Sequence, residues 1–140
     1  MNNNLKFAKI TVGDNEVLKS TISDIDLNTF ISISGDKSLI HTSNKEALKR
    51  GFNDRVVHGA LIISKVSSII GTKLPGDSAL LLDLKFKFSK PLYTNQEIVI
   101  SAAVKEKHES VKCLTLDLQV RNVEKNMRIA SGEALVKVNH

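Results

Sequence analysis

The period of the hydrophobic positions changes along the chain. Lys6–Val12 and Val17–Ser20 are short β-branched runs separated by Gly13-Asp14-Asn15, a turn composition, and they predict two early strands. Ser23-Asp24-Ile25-Asp26 then reads as a helix start, with a small polar cap and acidic residues in the first turn. Ile25, Phe30 and Ile33 supply its apolar face, and Ser34-Gly35 should stop it, because glycine readily takes the left-handed conformation after a helix end. Asp36–Ser43 is expected to be a loop and Asn44–Arg50 a short helix closed by Gly51.

From Gly59 to Ile70 the pattern is helical. Leu61, Ile62, Val66, Ile69 and Ile70 are large and apolar, while Ala60, Ser64, Ser67 and Gly71 recur at i, i+4, i+7 and i+11 as a stripe of small residues. Such a helix is expected to be buried, with a backbone or a ligand close to the stripe. After the turn Leu74-Pro75-Gly76-Asp77 the period becomes two. Leu80, Leu82, Leu84, Phe86 and Phe88 alternate with Asp83, Lys85 and Lys87, and Leu114, Leu116, Leu118 and Val120 with Thr115, Asp117, Gln119 and Arg121; Ile98, Ile100, Ala102 and Val104, and then Ala130, Gly132, Ala134, Val136 and Val138, also recur at every second position. Helices segregated ahead of antiparallel strands mean an α+β domain: a sheet of five or six strands around one central helix. Its edges must be covered or paired, and edge-to-edge dimerisation is the economical solution.

Composition narrows this picture. At 140 residues, 41% hydrophobic and 25% charged, the chain suits one globular domain over 1–140. Its 20 Lys and Arg against 15 Asp and Glu leave a net charge of +5, scattered without like-charge blocks. With one Tyr and no Trp to stack on bases, a sequence-reading nucleic-acid partner is disfavoured, whereas a small phosphate-bearing ligand suits the excess. Cys113 is the only cysteine, so no intrachain disulfide forms, and it reads as structural. Met1-Asn2-Asn3-Asn4 carries no apolar signal core, and no apolar run approaches the roughly 20 residues of a membrane span; a cytoplasmic protein without a membrane partner is expected.

Few residues carry chemistry. His108 and His140 read as solvated. Asp36 and His41, five residues apart, can face one another across a single water, the pairing that general acid–base chemistry uses near neutral pH. His58-Gly59 opens the buried helix, where the Gly59 N–H offers a free hydrogen and the helix a partial positive charge to a developing oxyanion. Arg55, Lys45, Lys49 and Arg50 lie beside these elements as candidates for the phosphates of an anionic ligand. No Cys/His pair has metal-ligand spacing, so no metal is expected, and neither a Gly-rich phosphate loop nor a nucleophile elbow occurs.

Ser34-Gly35-Asp36, Ile40-His41, Gly51-Phe52-Asn53-Asp54-Arg55-Val56-Val57-His58-Gly59 and Leu74-Pro75-Gly76 follow the order and spacing of the MaoC-like, (R)-specific enoyl-CoA hydratases, which this chain resembles over nearly its whole length. The step from Phe88 to Pro91 matches as well. One pair departs: Ser38-Leu39 stands where the family has Asn-Pro, so the loop lacks the fixed φ of proline.

The resemblance implies a hot-dog fold, a homodimer or dimer of dimers, and reversible hydration of a trans-2-enoyl thioester to a 3-hydroxyacyl thioester. Asp36, His41 and Gly59 would be catalytic, and Ser67, Ser64, Arg55 and His58 would contact substrate. It implies no cofactor beyond the coenzyme A of the substrate itself. Which of Asp36 and His41 is acid and which base stays open, as do the acyl length and whether CoA or an acyl carrier bears the thioester. A hot-dog thioesterase and a non-catalytic thioester-binding dimer are the rival uses of this frame. The former usually places a carboxylate on the central helix, and Gly59–Ile70 has none.

Overall fold

A computed structural model describes residues 2–140. A 3-10 turn at Phe7–Lys9 precedes β1 (Asn15–Thr21), α1 (Asp24–Ser34), α2 (Leu39–Thr42), α3 (Asn44–Lys49) and α4 (Gly59–Thr72). Four strands follow: β2 (Ala79–Phe88), β3 (Glu97–His108), β4 (Cys113–Asn122) and β5 (Met127–Val138). All pair antiparallel in one five-stranded sheet of order β1-β3-β4-β5-β2. This is the α+β arrangement that the change of period predicts.

The core lies between α4 and one face of the sheet. Ile98, Ile100, Ala102 and Val104 of β3 and Leu114, Leu116, Leu118 and Val120 of β4 are buried at every second position. They meet Leu61, Ile62, Val66, Ile69 and Ile70 of α4. Each large aliphatic side chain buried this way contributes about 1.5–3 kcal/mol, which holds the helix against the sheet despite its β-branched residues.

The ends of α1 are locally encoded. Asp26 N–H donates to Ser23 Oγ at 3.1 Å and Ser23 N–H returns a bond to Asp26 Oδ2 at 3.0 Å, while Gly35 takes φ 72° and donates to Ile31 O. The Ser23 backbone N–H, and then its hydroxyl, hold the Asp26 carboxyl below its ordinary 3.8. A carboxyl lowered by folding stabilises the native state above that ordinary value, and the contribution disappears as pH falls through the lowered one. Asp26→Asn should therefore cost under about 1 kcal/mol at pH 7, since solvent screens the group, and the gap from wild type should close below pH 3.8 in urea titrations.

Four expectations need correction. Lys6–Val12 is no strand. Phe7 and Ile10, three residues apart, are both buried, and a single 3-10 turn between them brings both inward. The stretch Asp36–Ser43 is not all loop: Ser38 O accepts from the N–H groups of His41 and Thr42, and Leu39–Thr42 closes one helical turn.

The alternation from Leu80 to Phe88 does not bury one face. The register of β2 on β5 shifts between Leu81 and Asp83, and β2 is an edge strand. Leu80 and Leu82 are 51% and 50% exposed; only Leu84 and Phe86 pack against the core. Finally, Ala60, Ser64 and Ser67 of the small-residue stripe face outward, and nothing within this chain covers them among the described residues.

Candidate active site

The first turn of α4, α2 and the loop before α2 meet at one end of the sheet. Asp36 follows the left-handed Gly35, and its Oδ1 accepts from Ser38 N–H at 3.1 Å, an Asx turn that fixes the loop. Leu39 occupies the first position of α2, where proline is favoured, and the turn forms without it. The carboxylate of Asp36 is about half exposed.

His41 sits on α2 with Nδ1 2.5 Å from Val56 O. A carbonyl oxygen can only accept, so Nδ1 carries a hydrogen, and in the neutral ring the lone pair is on Nε2. The isolated bridge of Val56 to Tyr93 and the Val56 N–H bond to Ile40 O hold that carbonyl in place. Sequence spacing gave no sign of Val56, because the contact is made by its backbone.

His58 is the N-cap residue of α4 and is 2% exposed. Its Nε2 donates to the backbone carbonyl of Asp36 at 3.1 Å and lies 4.0 Å from Asp36 Oδ2. Its ring stacks on His41, with centroids 3.8 Å apart and planes 20° from parallel, and Phe30 meets its other side edge-on at 4.9 Å. Nδ1 is buried without a partner among the described residues. The ring thus braces Asp36 and His41 from behind.

Donor atoms of Asp36, His41 and His58 all lie within 4.8 Å of one another, a cluster that sequence spacing did not reveal. The lone pairs of two stacked imidazoles lie in nearly parallel planes and do not converge on one point, so the arrangement suits proton transfer better than an ion.

His41 and Gly59 share the wall of a cavity of about 370 Å³, where Val57, Ile62, Phe88 and Leu92 give an apolar lining and Ser89 and Lys90 a polar one. The Gly59 N–H begins α4 and no acceptor takes it among the described residues. A Cβ at Gly59 would lie 3.0 to 3.2 Å from the Phe88 ring, so a larger residue narrows the cavity beside the amide.

The remaining predicted contacts fall elsewhere. Arg55 donates to Asn28 Oδ1 at 2.8 Å and to His41 O at 3.4 Å, and lies 3.8 Å from Asp24. Arg50 and Lys49 pair with Glu46 on their own helix. These cations therefore brace α1, α2 and α3 and do not form one free anionic grip. Ser64 Oγ donates to Leu61 O at 2.6 Å, and Ser64 lines a second cavity with Phe30 and Ile33. Ser67 stands exposed one helical turn further along α4.

Residues 8–126 match the family described as MaoC like domain. The 3-hydroxybutyryl-CoA dehydratase of Methylorubrum extorquens is 31% identical over 138 residues, which cover 96% of this chain and 84% of that protein. The (R)-specific enoyl-CoA hydratase of Rhodospirillum rubrum is 30% identical over 98 residues, 70% of this chain and 68% of that protein. Among solved structures, the unliganded R-hydratase PhaJ1 from Pseudomonas aeruginosa superposes with a TM-score of 0.89 at 27% identity, covering 96% of this chain and 86% of that one.

Proposed function

The chain belongs to the MaoC-like family, and from that premise we propose that it adds water reversibly to a trans-2-enoyl thioester to give an (R)-3-hydroxyacyl thioester. One observation carries the mechanism: the tautomer of His41. With Nδ1–H bound to Val56 O, the neutral ring has its lone pair on Nε2, and His41 clusters with Asp36 while sharing a cavity wall with Gly59.

Water is held between Asp36 and His41 Nε2. Its oxygen bonds to the β-carbon as one O–H bond breaks and the proton passes to Nε2. The electron pair of the carbon–carbon double bond moves onto the thioester, whose oxygen accepts from Gly59 N–H at the positive end of α4. The imidazolium, paired with Asp36, then returns a proton to the α-carbon from the same side. Dehydration runs these steps backwards. The chain's own side chains suffice for this scheme, so the reading includes no cofactor beyond coenzyme A as part of the substrate.

A second copy of the chain completes the fold in this reading. The outer edge of β2 is unpaired and carries Leu80, Leu81, Leu82 and Phe88 partly exposed. A partner strand would pair that edge and shield its leucines. Ser64 and Ser67, outward-facing on α4, would then line substrate or partner.

Purified protein should consume the conjugated double bond of crotonyl-CoA, form the (R)-hydroxyacyl product without releasing free thiol, and run at twice the 15.4 kDa chain mass in light scattering. Free thiol in place of the hydroxyacyl product would make it a thioesterase, and binding with neither product would make it a scaffold.

A further inference from the structure

Beside the catalytic cavity, and sharing Lys90 and Pro91 with it, lies a smaller one of about 160 Å³. Its polar side chains present donors. Asn122, 2% exposed, accepts the Lys125 N–H on its Oδ1 at 3.2 Å, which leaves its amide hydrogens to donate. Gln96 Oε1 accepts the Tyr93 N–H at 3.1 Å and likewise leaves its amide group. The Tyr93 hydroxyl accepts Asn53 N–H at 3.0 Å and keeps its own hydrogen to give.

Lys90, Lys125 and Asn53 add to the polar lining, and no carboxylate takes part in it. Among the described residues neither lysine pairs with an acid, unlike Lys49, Arg50 and Arg55. A concave wall in which the Asn122 and Gln96 amide oxygens are committed to backbone N–H groups, with two cations unpaired with any acid added, matches the needs of an anion with many acceptor oxygens.

We propose that this cavity binds a phosphate group of the thioester carrier, so that the acyl end reaches His41 and Gly59 while Lys90 and Lys125 grip the phosphate. The proposal rests on the thioester reading above. It moves the anionic grip from the helix cations that sequence proximity suggests to residues drawn together from the β2–β3 connection and the turn after β4.

The test is Lys125→Met, whose exposed side chain lines this cavity and not the catalytic one. Three crotonyl thioesters serve as probes: with coenzyme A, with phosphopantetheine, and with N-acetylcysteamine, which has no phosphate. The KM for crotonyl-CoA should rise about tenfold with kcat within a factor of two, while the KM for the N-acetylcysteamine thioester stays unchanged. An equal loss with phosphopantetheine assigns the pocket to the phosphate that CoA shares with a carrier protein. A loss confined to CoA assigns it to the nucleotide phosphates. Equal changes for all three probes, or none, overturn the proposal.

Calorimetric titration with free coenzyme A reads the pocket without turnover: the wild type should bind about tenfold more tightly than Lys125→Met, and equal affinity rejects the grip. If the wild type binds coenzyme A this way yet hydrates none of the thioesters, the hydratase reading fails and the phosphate site stands.

Discussion

Crotonyl-CoA hydration by a His41→Gln variant should fall by about 10²–10⁴-fold, with Asp36→Asn falling in the same range. Gln fills much of the imidazole's space but offers no base in place of Nε2. Asn at position 36 can still accept the Ser38 N–H that Oδ1 accepts now, so the loop should keep its shape while the negative charge that pairs with the imidazolium is lost. Losing the bond from Nδ1 to Val56 O costs about 1 kcal/mol, roughly 4 °C at this chain length, so circular dichroism should show folded protein in both cases. Because one water is held by both groups, the double variant should be little slower than the worse single one. A variant at either position that hydrates crotonyl-CoA at the wild-type rate excludes the pair. A double variant slower by the product of the two losses excludes the shared water.

Gly132→Ala should lose much stability for a single added methyl. Gly132 sits in β5 opposite Phe86 of β2 and Leu118 of β4. A Cβ there would overlap the Lys85 carbonyl oxygen and come within 2.6 Å of Phe86 Cδ2. Backbone cannot rotate away as a side-chain tip can, so β2 must shift along β5. Overpacking of this kind costs about 3 kcal/mol, near 10 °C in melting temperature. Ser131→Ala, next in the same strand, should stay within about 0.5 kcal/mol of wild type. A Gly132→Ala protein that melts with the wild type would mean that β2 yields freely at its edge.

Legibility followed the range of the forces. The capping box of Ser23 and Asp26 and the stop at Gly35 are contacts within a few residues, and the helix they bound is as expected. The alternation of Leu114, Leu116, Leu118 and Val120 points one way because β4 lies inside the sheet with partners on both sides. The same alternation misled in β2, where the bulge and the edge position decide exposure. Phe7 and Ile10 resemble strand residues until the core they enter is in place. In the candidate site, Asp36, His41 and Gly59 were readable as residue types in a recognisable order. The hydrogen on His41 Nδ1, the stack of His58 and the close approach of Phe88 to Gly59 were not.

The linear chain on its own settled the residue types available for acid–base work, the α+β class, and the ends of α1, because periodicity and capping act over one or two turns of backbone. Only folding decided which nitrogen of His41 faces Val56, which carboxylate lies beside Arg55, and which leucines of β2 face solvent. Those outcomes depend on a carbonyl 15 residues away from His41, on Asp24 lying beside Arg55, and on a one-residue slip between two strands. Each arises from atoms brought together by burial of the core, and sequence distance carries no information about them.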